Sequence, residues 1–426
     1  MSLKQKFSIS ILTKVFTVPA TFITAVVISR TLGAEYYGQY KYLILLLMTS
    51  YLFSGLGIFE ANSQFLALKK TDKDFSFIFA LFFGFFIYII IIVFFFTFMH
   101  ISDSEIIKLY FFPVFIMLMF IHILFNNMGQ ILIGLDLINE YNIISSVKAV
   151  LTLIGVWILY VFNKFNLRGI IFTQILVTFV CLTIIIYFIR PNLRKIEIKS
   201  ILKKSILTKY FKRGLLIYGS NVSTFLNYRL DMFLIKYFLG YSLLGIYSIA
   251  VMIVEKIWLI PESFRTILFL EVAKERKDKE LVNQLTRVIF SVVFLLTIIL
   301  SLTSPFFIPL VFSQKYGPSV QPLILLLPGV LFFTLSKMLS SYFFAKNLVK
   351  VNTIASVTAF VINLVLNIIL IPVIQIKGVA IASTISYSFG GLYQLYMYKK
   401  DSQSKLKEIL IVKPSDIKQI YSSIMK

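Results

Sequence analysis

From Phe77 to Phe98 the chain reads FIFALFFGFFIYIIIIVFFFTF, without a single charge. A run of about 20 apolar residues crosses a bilayer as a helix. No water reaches the backbone there, so every N–H and C=O must bond within the segment. Such runs recur along all 426 residues, parted by short clusters of charge, Gly, Pro and Asn. Reading runs and breaks predicts twelve spans, with cores at 8–29, 42–66, 75–99, 109–133, 143–162, 169–189, 214–238, 246–270, 286–311, 320–343, 351–373 and 379–397. The ninth is the least regular, because SPFFIPL places Pro305 and Pro309 near its end. The pattern predicts an all-α polytopic membrane protein.

The pattern also repeats itself. Leu32 to Tyr40 reads LGAEYYGQY and Leu239 to Tyr247 reads LGYSLLGIY, both fitting L-G-x-x-x-x-G-x-Y at an offset of 207. Asn142 opens NIISSV and Asn352, 210 residues on, opens NTIASV. Arg168-Gly169-Ile170 precedes the sixth span and Lys377-Gly378-Val379, 209 residues on, precedes the twelfth. Three anchors at one offset predict two six-helix lobes, 1–189 and 214–397. An even number of spans per lobe gives both the same orientation. Such lobes are related by a pseudo-two-fold along the membrane normal, with the working site between them. Residues 190–213 form the join, RPNLRKIEIKSILKKSILTKYFKR. Ile198, Ile201, Leu202, Leu207, Tyr210 and Phe211 share one helical face, so this basic segment is expected to lie as a helix on the inner leaflet. A basic tail, 398–426, follows the second lobe. Lack of a Cβ at Gly38 and Gly245 is expected to serve tight outer turns.

Composition strengthens this reading. The chain is 58% hydrophobic and 14% charged, against about a quarter charged in soluble domains, and its mean hydropathy is +0.88. The net charge of +23 could suggest nucleic acid, but its distribution argues for topology. Of the 42 Lys and Arg, 28 fall in the termini and even-numbered connections and 7 in the odd-numbered ones. The positive-inside rule then puts both termini in the cytoplasm, and no nucleic-acid partner is expected. The first span is too long, and too polar at Lys14, for a cleavable signal peptide. Cys181 is the only cysteine and lies inside a span, which excludes disulfides within the chain and cysteine-based metal sites. His100 and His122 show no metal spacing, no phosphate-binding G-x-x-x-x-G-K-[ST] loop occurs, and no catalytic constellation or metal site is expected.

Seven cations remain within or at the rims of spans: Lys14, Lys148, Arg229, Lys236, Lys256, Arg265 and Lys337. A cation at the bilayer centre costs about 3 kcal/mol on insertion scales and usually faces a wet interior. Lys148, Lys236, Arg265 and Lys337 lie close enough to span ends to snorkel. Arg229 and Lys256 lie deeper, beside Asp231 and Glu255. Neither pair bonds well within its own helix, so the alternatives are partners across helices, a buried structural ion pair, or a charged substrate. Glu262 and Arg265, three apart, suit a local pair. Ser220, Ser223, Thr224 and Asn227 put a polar stripe on the seventh span, and Lys14, Thr17, Thr21 and Thr24 a weaker one on the first. Such stripes line cavities or hold helices together.

ISRTLGAEYYGQYKYLILLL and GLGIFEANSQFLA, with NYRLDMFLIKYFLGYSLLGIYSIA in the second half, resemble the Wzx-type polysaccharide flippases of the multidrug/oligosaccharidyl-lipid/polysaccharide exporter superfamily. The resemblance covers nearly the whole chain in span count and turn positions and is most specific at the two turns. It implies movement of undecaprenyl-diphosphate-linked oligosaccharide units across the bacterial plasma membrane, for O-antigen- or capsule-type surface polysaccharide, by alternating access. It implies no enzymatic step and no cofactor. Partners would be the lipid-linked cargo, membrane lipids and the polymerase or glycosyltransferases of the same pathway. Arg30 and Asp231 match positions in the family's two turn regions. Burial adds Lys14, Arg229 and Lys256, with Asn227 on the same stripe, as substrate-binding candidates. Asp231, Glu255 and Glu60 are candidates for a coupling H+ or Na+. Two alternatives stand beside this. One is an ion-coupled drug/cation antiporter of the same superfamily, whose cavity should be dominated by acids. The other is a membrane polymerase or glycosyltransferase, which would need a large outer loop.

Overall fold

The computed structural model describes residues 3–68, 71, 73–101, 112–192, 204–275, 279–414 and 416, and among these there is no strand. The long helices are α1 (Leu3–Gly55), α3 (Lys73–Ile101), α4 (Phe112–Gly134), α5 (Ile138–Val161), α6 (Leu167–Ile189), α7 (Lys204–Glu275), α8 (Lys279–Phe312), α9 (Val320–Ala345) and α10 (Val349–Ser402). Two short ones, α2 (Ile58–Ala67) and α11 (Leu406–Leu410), complete the set, with 3-10 turns at Arg190–Asn192 and Gln314–Ser319. Among the described residues nine helical stretches are long and apolar enough to cross a membrane. Leu302, Phe306 and Leu310 of α8 stand 70–78% exposed, a surface suited to lipid and not to water. The protein is a multi-pass membrane protein.

Three of those nine stretches run 44, 58 and 54 residues. At 1.5 Å per residue each is far longer than a hydrocarbon core of about 30 Å requires. Each is broken inside. Gly33 (φ 76°) breaks α1, Gly240 (φ 84°) breaks α7, and Ile374 with Gln375 (φ 52°) breaks α10. The first two are the leading glycines of the repeated motif, and only a residue without a Cβ adopts that backbone at little cost.

The second glycine of each motif has another role. A Cβ on Gly38 would stand 1.8 Å from the carbonyl oxygen of Tyr241, and one on Gly245 would stand 2.1 Å from that of Ala34. The two helices therefore cross backbone to backbone, each through the other's glycine. The expectation that Gly38 and Gly245 serve turns is corrected accordingly: the bend belongs to Gly33 and Gly240, five residues earlier.

The predicted second span, 42–66, is also interrupted. α1 ends at Gly55 and α2 starts at Ile58, with Leu56 (φ 43°) and Gly57 (φ 71°) both left-handed between them. Pro305 and Pro309, by contrast, lie within an unbroken α8. Residues 193–203 of the predicted linker, with Ile198, Ile201 and Leu202, lie outside the described residues, as do 102–111 and 417–426. From Lys204 onward the segment forms the first turns of α7.

The chain divides into two compact units. Unit 1 comprises Met1–Gly33 and Leu43–Val222, and unit 2 comprises Ala34–Tyr42 and Ser223–Lys426. In unit 1, Tyr210 of α7 is buried with Ile58, Phe75 and Phe79, and its hydroxyl donates to Asn62 Oδ1 at 3.0 Å. Asn62 passes the bond on to the Ser76 carbonyl at 3.0 Å. A Cβ on Gly57 would meet the Gly214 carbonyl oxygen at 2.1 Å, so here too the approach is backbone to backbone. In unit 2, Tyr37 packs edge-on against Tyr316 at 6.1 Å, and Ser319 Oγ donates to the Ile246 carbonyl at 2.8 Å. Close packing of α9 on α10 passes through Gly391, whose Cβ would stand 2.1 Å from the Phe332 carbonyl oxygen.

The end of the described chain is held by one buried cation. Arg287 of α8 is 1% exposed and forks onto Asp416, with Nε and Nη2 each 2.5 Å from a carboxylate oxygen. Its Nη1 donates to the Glu408 carbonyl at 3.0 Å, and Nη2 reaches Glu280 at 3.1 Å. The Arg287 guanidinium, aided by the Lys413 N–H, holds the Asp416 carboxyl below the usual carboxylate range.

Candidate functional site: a charged cluster in unit 2

The candidates divide between the units. Lys14, Arg30 and Glu60 belong to unit 1, and Asn227, Arg229, Asp231, Glu255 and Lys256 to unit 2. In unit 1, Lys14 and Arg30 are exposed, while Glu60 is half-buried and bonded by the Tyr51 hydroxyl. Thr17 of the weaker stripe bonds the Ser146 hydroxyl at 2.8 Å, so there the stripe joins α1 to α5.

In unit 2 the charges come together. Arg229 Nη1 lies 2.6 Å from Glu255 Oε1, bridging the two parts of α7 that flank the Gly240 break. Both side chains keep partial exposure, 21% and 31%. Lys256 follows Glu255 half-buried, and Lys41 lies within electrostatic reach of Glu255, Arg229 and Lys256. Three cations and two carboxylates, Glu255 and Asp231, are therefore linked electrostatically inside a membrane-spanning unit. The span pattern puts Lys41, just ahead of the core at 42–66, in an outer connection. The Gly33 break returns the chain to helix at once and carries Lys41, over the Tyr37 ring at 5.3 Å, into unit 2.

Asp231 takes no cation directly among its shortest bonds. It is buried and accepts the Tyr247 O–H at 3.0 Å and the Met232 N–H at 2.7 Å. Tyr247, the closing residue of the second motif, is also bonded to Ser383 of α10. Ser383 and Ser386 each receive the Asn363 amide, at 3.3 and 3.4 Å, and Asn367 donates to Asn363 at 2.9 Å. A hydrogen-bonded chain thus runs from Asp231 to Asn367 through the interior of unit 2. Asn227 donates to the Ser356 carbonyl at 3.3 Å, close to the same helix.

Two cations expected to snorkel do otherwise. Arg265 and Lys337 both pair with Glu262, at 3.0 and 2.9 Å. Lys337 also covers the rings of Tyr228 and Phe333 at 5.4 and 5.3 Å. Those rings adjoin Trp258 and Tyr387, with Trp258 and Phe333 centroids 4.6 Å apart. Carboxylate and rings supply locally what snorkelling would have sought at the interface.

Among the described residues the protein is built of helices in two units, with charged residue types clustered inside membrane-spanning helices of one of them. The comparisons agree on fold. A solved structure of the lipid II flippase MurJ, in an inward closed conformation, matches with a TM-score of 0.77 at 16% identity, covering 98% of this chain and 92% of that one. An inward-facing multidrug resistance MATE family transporter of the MOP superfamily matches with a TM-score of 0.72 at 14% identity, covering 95% of both chains. A MOP superfamily transporter from Pyrococcus furiosus, described by the reverse polarity of its binding pocket, matches with a TM-score of 0.58 at 14% identity, covering 93% of this chain and 95% of that one. No curated protein sequence matches the chain. Residues 3–260 match the family described as "Polysaccharide biosynthesis protein", and the chain belongs to that family.

Proposed function

We propose that the protein is a flippase that carries undecaprenyl-diphosphate-linked oligosaccharide units across the bacterial plasma membrane, for O-antigen- or capsule-type polysaccharide. Reading each of the three broken helices as two crossings gives twelve spans, with both termini cytoplasmic. The observation that carries the reading is the cluster of Lys41, Arg229 and Lys256 around Glu255. Its excess of positive charge suits a lipid diphosphate, whose lost hydration must be replaced by charge-assisted bonds. Arg229 has five N–H donors; Nη1 serves Glu255 and the Met232 Sδ, which leaves Nε and Nη2 for phosphate oxygens. Asn227 and the unit 1 cations Lys14 and Arg30 serve the same cargo elsewhere on its path.

With the cell interior negative, moving two charges outward is favourable by about 4–5 kcal/mol per 100 mV if they cross the whole field. Membrane potential can therefore drive export. Asp231, at the head of the chain through Tyr247 to Asn367, is the position for a coupling H+ or Na+, with Glu255 and Glu60 as further carboxylates. The structural likeness to MATE transporters supports a second reading, an ion-coupled antiporter of cationic drugs. The surplus of cations over acids in the cluster favours an anionic cargo.

The test is flipping of a fluorescent lipid-linked oligosaccharide in vesicles holding the purified protein. Export is expected from the wild type without bond-making, and Arg229→Ala and Lys256→Ala are each expected to abolish it with insertion intact. Wild-type export by both variants would overturn the cationic site. Efflux of a cationic drug without lipid flipping would establish the antiporter instead.

A further inference from the structure

Unit 1 holds a cavity of about 160 Å³ in which α1, α4, α5 and α6 converge. His122 comes from α4, Lys148 and Thr152 from successive turns of α5, and Gln174 and Thr178 from successive turns of α6. The remaining wall is apolar, with Leu47 and Leu118 among it, and no carboxylate lines the space. Lys148 Nζ lies 4.0 Å from the centre of the Phe125 ring. A ring face satisfies one side of an ammonium that has three N–H donors. Snorkelling does not describe this lysine, since it lines a cavity inside the unit with its Nζ over the Phe125 ring.

The geometry points to this cavity as a binding site for one oxyanion group, a carboxylate or a phosphate, held by Lys148 with Gln174 and Thr178 at its sides. Lys148 brings a positive charge to this wall, whereas a cation would meet no opposing charge. The apolar wall lowers the local dielectric, which strengthens the attraction of Lys148 for an anion. The volume admits one acidic sugar or one phosphate and excludes a whole oligosaccharide. The site lies within unit 1 and does not use Arg229 or Lys256, so it stands or falls apart from the proposed cargo.

The test is thermal unfolding of the purified full chain in detergent, titrated at constant ionic strength with glucuronate, inorganic phosphate or glucose. Glucuronate or phosphate is expected to raise the midpoint saturably, and glucose is not. Lys148→Met is expected to weaken that binding by about tenfold or more, while Lys164→Met, at an exposed lysine of the same unit, leaves it in place. Tighter glucuronate binding identifies a sugar acid as the source of the anion, and tighter phosphate binding a phosphate group. An equal response to glucose, no saturable response, or an unchanged response in Lys148→Met overturns the proposal. A second measurement covers poor folding of Lys148→Met. Gln174→Cys, in a background with Cys181→Ala, is expected to react about tenfold faster with an anionic than with a cationic methanethiosulfonate. Equal rates, or the reverse order, overturn the site.

Discussion

Arg229, Arg265, Lys337 and Arg287 of unit 2 meet carboxylates, whereas Lys148 of unit 1 lines a cavity without one. Arg229 has Glu255, Arg265 and Lys337 share Glu262, and Arg287 forks onto Asp416. Lys148 has a ring at 4.0 Å and a space lined by donors. The same residue types at similar depths therefore have different energetics. Removing a paired cation strands its partner, while removing Lys148 strands nothing and takes away a desolvation penalty.

The contrast between the units can be broken or sharpened by substitution. The largest effect should come from the backbone crossing of unit 2 and not from any charge. Gly245→Leu forces atoms into a carbonyl that a bare Cβ would already approach to 2.1 Å. A cost of about 3 kcal/mol or more is expected, read as lost monodisperse yield, and a normal yield would refute the crossing. Arg287→Met comes next, at about 3 kcal/mol, because Asp416 stays buried and unpaired. The pair also has a pH signature. Asp416 has its folded pKa lowered by Arg287, so its contribution is complete above an unfolded value of about 4 and is lost as pH falls through the lower folded value. Acid titration of the thermal midpoint should show that loss in the wild type and not in Asp416→Asn.

Arg229→Met should cost less, about 1 kcal/mol, since the pair keeps partial exposure and Lys256 and Lys41 still face Glu255. Exchanging the two, Arg229→Glu with Glu255→Arg, is expected to restore stability but not flipping. Restored flipping would make the pair structural only. The smallest effect belongs to Lys148→Met, within about 0.5 kcal/mol of the wild type or more stable. A large loss of stability there would erase the difference between the units.

Much of the fold was legible because apolar length and Gly spacing are local properties. The repeated L-G-x-x-x-x-G-x-Y motif located both helix breaks. It did not reveal which glycine bends the chain, since φ at Gly33 and the approach at Gly38 leave the same letter in the sequence. The interruption at Leu56 lies between two glycines, which was the available signal. For the site, Arg229 beside Asp231 and Lys256 beside Glu255 left a pair across helices, a structural ion pair and a charged substrate all open, and the structure pairs Arg229 with Glu255. Lys41 was missed because helix resumes immediately after Gly33, which no apolar count registers. Lys148 and Lys337 lie at similar distances from span ends, and only tertiary packing decides that one meets Glu262 and the other a cavity.

The nine residues Ala34–Tyr42 group with unit 2 although they lie far upstream of everything else in it. A gene cut at the 193–203 join would therefore encode a downstream fragment missing a piece of its own interior, including the partner that Gly245 is shaped to meet. Expressed alone, that fragment is expected to be degraded. Fragment complementation should succeed only when the companion polypeptide brings those residues back, so the two coding halves are not interchangeable modules.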